Sequence, residues 1–113
     1  MDLKDFHIAN ARIDHVRIGT GHHDGRGFFT IGFVSNSCGQ GAEFPWDRQT
    51  IDDLIRITES NHLGTVEGKI VRVLRRDKSG KIDGIANIID SGEDDVLILA
   101  DAWARLKQAA GTA

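Results

Sequence analysis

The sequence predicts an α+β fold: an antiparallel sheet of about four to five strands, one central helix and a C-terminal helix, with the helices mainly on one face. Three observations predict it. Two pairs of β-rich segments alternate apolar and polar residues with period two, and each pair is followed by a segment with helical spacing. The 113 residues suit a single domain, residues 1–113, with 110–113 as a frayed tail. At 40% hydrophobic and 27% charged, the composition supports one core without disulfides or a structural metal.

Residues 6–18 form the first expected strand. Ala9, Ala11 and Ile13 share one phase and Val16 and Ile18 the other, so a β-bulge belongs near Asp14-His15, unless the segment is two shorter strands. Gly19–Gly27 reads as an exposed loop, since four of its nine residues are glycine. Phe28–Ser35 follows as a strand with Phe29, Ile31 and Phe33 on one face. Asn36–Gln49 reads as irregular, with a Gly39-Gln40-Gly41 turn and a Phe44-Pro45-Trp46 cluster.

Thr50 opens the expected helix with a Thr50-x-x-Asp53 capping box, using Asp where Glu or Gln is usual. Ile51, Leu54, Ile55 and Thr58 form its apolar stripe, and Asn61–Gly64 should end it with a glycine cap. Gly64–Ile89 then reads as two long strands turning at Asp77-Lys78-Ser79-Gly80, the hairpin on which the rest is expected to pack. Asp90–Asp95 is an acidic turn. Leu99–Ala109 keeps helical spacing, and Val96–Ile98 fits strand or helix.

Charge and composition narrow the function classes. A net charge of −3 argues against a dedicated nucleic-acid coat. The single Cys38 cannot form an internal disulfide and favours a reducing interior. The first residues lack a basic stretch followed by an apolar one, so no signal peptide is expected. No apolar run approaches the roughly 20 residues of a membrane span. The expected location is cytoplasmic, away from the membrane.

Candidate chemistry sits in four places. His22-His23-Asp24 offers metal-ligand side chains, but adjacent residues in a loop rarely reach one ion together, and the plain reading is a solvated loop, so no metal is assigned. Cys38 beside Gly39-Gln40-Gly41 is a minimal nucleophile, with a passive thiol as the plain reading. Lys69, Arg72, Arg75, Arg76, Lys78 and Lys81 stand against Asp77 alone, a patch suited to phosphate or an acidic protein surface. Its plain reading is a charged strand edge that resists aggregation. Trp46 beside the lone proline either plugs the end of the core or, if exposed, is a binding hot spot. No residue pattern calls for a cofactor.

Ala11-Arg-Ile-Asp14, His23-Asp-Gly25, Gly39-Gln-Gly41, Ile51–Ile55, Gly68-Lys-Ile-Val-Arg-Val73 and Ile82–Ile89 together resemble a family of small uncharacterised proteins encoded by phages and prophages. The acidic turn and alanine-rich tail depart from that pattern. The resemblance implies a phage or mobile-element setting in a bacterial host cell and brings no catalytic residue. In that setting the leading expectation is a non-enzymatic, anti-CRISPR-like inhibitor that binds a bacterial host protein complex. Its contacts would come from the basic hairpin, the His22-His23-Asp24 loop, Gln40 or Trp46. A nucleic-acid or nucleotide-binding module using the hairpin is the alternative, and a small Cys/His enzyme the second. A homodimer through an exposed hairpin edge is also compatible with the sequence.

Overall fold

Alternation along the first half of the chain folds into a three-stranded meander, on which the rest is built. The computed structural model describes residues 5–22, 26–35, 38–77, 80–88 and 95–111. Strands β1 (His7–His22), β2 (Arg26–Ser35), β3 (Cys38–Pro45), β4 (Ile70–Arg75), β5 (Gly84–Ala86) and β6 (Val96–Ile98) form one antiparallel sheet in the order β3-β2-β1-β4-β5-β6. Helices α1 (Arg48–Ile57) and α2 (Leu99–Gly111) complete the α+β fold. Among the described residues no helix is long and apolar enough to cross a membrane.

The register between β1 and β2 shifts between Ile13 and His15, where the phase change placed the bulge. The extra residue returns Val16 and Ile18 to the face already occupied by Ala11 and Ile13. Glu67 supports the distorted strand by accepting a hydrogen bond from the Val16 N–H at 3.2 Å. Beyond the bulge, β1 and β2 pair as far as Gly19 and Phe28 and, after a second register shift, again at His22 and Arg26, so the expected loop narrows to a long hairpin arm.

One face of the sheet carries the main core. Ile13, Phe29, Ile31, Phe44, Val71, Val73 and Ile85 are buried there with Leu54 and Ile57 of α1 and Ala102 of α2. Phe29 and Phe44 stack with centroids 5.4 Å apart. Both helices therefore roof this inner face. A smaller cluster of Phe6, Leu74, Ala86 and Ile98 packs on the outer face. Gly84 is required there: a Cβ would meet the Leu97 carbonyl oxygen at 2.6 Å and Ile98 Cδ1 at 2.9 Å.

The sheet curls strongly. Gln40 on β3 and Arg75 on β4 have two strands between them, a span of roughly 14 Å if flat. Yet Arg75 Nε donates to Gln40 Oε1 at 3.0 Å, and Gln40 Nε2 donates to the Gly80 carbonyl at 3.2 Å. Helix α2 packs against β3 and β6, the two sheet edges, and Trp103 Nε1 donates to the Glu43 carbonyl at 3.2 Å. It straps the seam of a nearly closed sheet.

Several expectations are corrected. The sheet has six strands, because the segment expected to be irregular contains β3, with Gly39-Gln40-Gly41 inside it. Pairing with β2 supplies the hydrogen bonds that local sequence does not specify. Pro45 ends this edge strand, where a missing N–H is tolerated. The expected long hairpin has short strands, β4 and β5, and its turn residues 78–79 lie outside the described residues. The sheet is centred on β1 and β4 together. Val96–Ile98 is strand β6, and the acidic turn, Asp95 apart, lies outside the described residues.

Helix α1 begins two residues earlier than expected, and Asp47 caps it by accepting from the Thr50 N–H at 3.0 Å. Thr50 and Asp53 are buried in its packed stripe with Leu54 and Ile57, whereas Ile51 and Ile55 are half-buried. The helix stops at Thr58 without a glycine. Glu59 takes φ 55, Glu59 N–H donates to Arg56 O, and Ser60 N–H donates to Ile55 O, a Schellman closure with glutamate in the left-handed position. Leu63–Thr65 forms a separate 3-10 turn.

Candidate functional site

Strand alternation disperses the basic residues that cluster in sequence. Arg72 lies on the outer face, where its Nε donates to the Asn87 carbonyl at 2.7 Å. Arg75 lies on the inner face and makes two hydrogen bonds to Gln40. Arg76 sits 5.1 Å from the ring centroid of Phe6, and its N–H donates to Asp83 Oδ2 at 2.7 Å. Lys69 precedes β4, and its carbonyl accepts from the Ile13 N–H. Lys81 is exposed beside a groove of about 350 Å³ between β3 and α2, lined also by Glu43, Asp83 and Trp103. Lys78 lies outside the described residues. Among the described residues the hairpin therefore presents no single cationic face.

The remaining candidates separate into two ends of the sheet. Gln40 is held at the Arg75 end by the bonds already described. Trp46 lies at the other end, between β3 and α1, with its ring edge-on to Phe29 at 5.8 Å. It is 41% exposed. Ile18 pairs in register with the same Phe29 and is 63% exposed. Phe29 itself is fully buried, so Trp46 and Ile18 form an apolar rim over it. The β1–β2 arm continues from this rim to His22, the last residue of β1. His23 and Asp24 lie outside the described residues.

Electrostatics elsewhere are structural. Arg56 joins α1 to the start of β6, donating to Asp53 at 3.0 Å and Asp95 at 3.1 Å. Burial acts to lower its pKa, but the hydrogen bonds to Asp95 and Asp53 and their negative charges outweigh that effect and hold it above the ordinary arginine value. The guanidinium stays charged throughout the physiological range. Asp14 and His15 meet at the bulge with Oδ2 and Nδ1 3.2 Å apart. The His15 ring covers Gly32, where a Cβ would come within 2.2 Å of the imidazole. A depression of about 220 Å³ opens beside it over Gly39 and Gly41. Among the described residues no group of three or more His, Cys, Asp or Glu side chains is placed to hold a metal ion.

Sequence reasoning missed Ile18 as a surface residue and missed the outer face of β1 altogether. The signal for the latter was present: Ile8, Asn10 and Arg12 alternate with half-buried Ala9 and the core residues Ala11 and Ile13. No family model matches the chain, and no curated protein or solved structure matches it.

Proposed function

We propose that the chain is a non-enzymatic interaction protein of phage or mobile-element origin that inhibits a bacterial host protein by surface complementarity, in the manner of anti-CRISPR proteins. The observation that carries this reading is the exposed pair Trp46 and Ile18 over Phe29. Tryptophan, with tyrosine and arginine, is enriched among the residues that anchor interfaces, because it offers a large rigid surface at little entropic cost. Phe29 holds Trp46 edge-on, which limits the conformations it must give up on binding. Covering both side chains would remove on the order of 200 Å² of apolar surface, about 5 kcal/mol at 25 cal/mol per Å². The phage setting is carried by the sequence resemblance alone.

The test compares tagged wild-type chain with Trp46→Ala and Ile18→Asp in a nuclease-treated bacterial lysate. Wild type should retain one host protein in stoichiometric amount, and each variant should lose it while keeping its far-UV circular dichroism. Ile18→Asp is the cleaner probe, because Ile18 is mostly solvent-exposed. Equal recovery by all three chains, or clean bait throughout, would remove this surface from the proposal.

A further inference from the structure

With both helices on the inner face, much of the outer face of β1 and β4 is left to solvent. The register there gathers arginines that are far apart in sequence. Arg12 stands opposite Ile70, and Arg72 opposite Asn10. Arg17 lies further along the same face of β1, opposite Thr30, and Arg76 continues the line over Phe6. Arg17 and Arg76 mark the ends of a cationic diagonal on the order of 30 Å long at about 3.3 Å per residue. Among the described residues Asp14 and Glu43 lie near its middle, and Asp77 and Asp83 near its Arg76 end, where Asp83 accepts from the Arg76 N–H; Arg12 and Asp14 approach only to 4.0 Å. In a chain of net charge −3 this is strong segregation of positive charge.

We propose that this outer face docks an acidic protein surface. Charge complementarity sets the sign of the partner: a row of guanidinium groups favours carboxylates and steers an acidic surface towards it. The apolar content favours protein over nucleic acid. Ile8 is 43% exposed and Ile70 50% exposed, both among the arginines. A phosphate backbone gains nothing from aliphatic side chains, whereas an interface of arginine around an aliphatic centre is a common protein–protein composition. Single-strand binders rely on exposed aromatic rings for stacking, and the phenylalanines of this face, Phe6 and Phe28, are buried. The surface is distinct from the Trp46–Ile18 rim, which lies on the opposite face, so the two proposals stand or fall separately.

The test titrates the intact chain with two fluorescent probes of equal formal charge, a peptide alternating glutamate with leucine and a single-stranded oligonucleotide. The peptide should bind more tightly, and its affinity should fall as salt is raised. Arg12→Glu combined with Arg17→Glu should weaken it by about tenfold or more, and Lys107→Glu on α2 should leave it unchanged. Ile70→Ser should weaken peptide binding and leave the oligonucleotide unaffected. Far-UV circular dichroism confirms that each variant is folded. Tighter oligonucleotide binding would make the face a nucleic-acid surface and overturn the proposal. Binding of neither probe, or equal peptide affinity of wild type and the charge-reversed chain, would also overturn it.

Discussion

Two glycines of the sheet, Gly84 on β5 and Gly41 on β3, should respond oppositely to the same substitution. In Gly84→Ala the new Cβ falls 2.6 Å from the Leu97 carbonyl oxygen and 2.9 Å from Ile98 Cδ1, inside the 3.0 Å that real Cβ atoms respect. Ile98 can rotate away, but the carbonyl belongs to the β5–β6 ladder and can move only with its strand. Overpacking of this kind costs about 1–3 kcal/mol. Reduced freedom of the unfolded chain returns about 0.4–1 kcal/mol, leaving a net loss of roughly 1–2 kcal/mol. At this chain length that lowers Tm by roughly 4–8 °C. Gly41→Ala is the control. Its Cβ would meet Thr30 Cγ2 at 3.6 Å and the Ile31 carbonyl oxygen at 3.9 Å, ordinary contacts, and its φ is not positive. Only the unfolded-state gain remains, so Tm should stay level or rise by a few degrees. Differential scanning calorimetry of both variants decides the matter. Equal shifts would refute the packing argument at Gly84.

Other substitutions test the ends of α1. Asp47→Ala removes the cap on the Thr50 N–H and the 3.5 Å ion pair with Arg105. The expected loss is about 1–2 kcal/mol by urea unfolding, mostly from the cap because the ion pair is partly exposed. An unchanged midpoint would exclude Asp47 as the working cap. Glu59→Gly relieves a left-handed glutamate, and the added unfolded-state freedom offsets part of that gain. It should stabilise by up to about 1 kcal/mol, provided that the 3.3 Å bond from Asn87 Nδ2 to Glu59 Oε2 contributes little. A drop in Tm would show that this bond outweighs the backbone strain.

Local pattern revealed the elements that bury their own residues in a regular rhythm. Phe29, Ile31 and Phe33 announce β2, and the change of phase after Ile13 locates the bulge, because a sheet with one buried face tolerates no other register. Strand β3 was illegible because Cys-Gly-Gln-Gly-Ala-Glu-Phe-Pro holds two glycines and a proline. Its extended form comes from pairing with β2, a tertiary effect. The start of α1 was misplaced because Arg48 and Gln49 carry no apolar stripe. Its end was misplaced because the left-handed residue is Glu59, where glycine was the expected signal. In the candidate site, alternation along Lys69–Lys81 sends Arg72 and Arg75 to opposite faces, and that much is legible in the sequence and holds in the structure. Arg12 joins Arg72 only through the β1–β4 register, which neither segment reveals alone.

Strand β1 belongs to two ladders. Its residues from Arg12 onward pair with β2, while His7 to Arg12 pair with β4, and Arg12 alone is shared. This division imposes an order on pairing during synthesis. The meander of β1, β2 and β3 can close once Pro45 has left the ribosome, through contacts between near neighbours. The first half of β1 must wait until Ile70–Arg75 has been made, with β2, β3 and α1 translated in between. For that interval it presents an unpaired edge open to strands of other chains. Conditions that slow translation across residues 46–69 would therefore lengthen the period in which the nascent chain is open to misassembly.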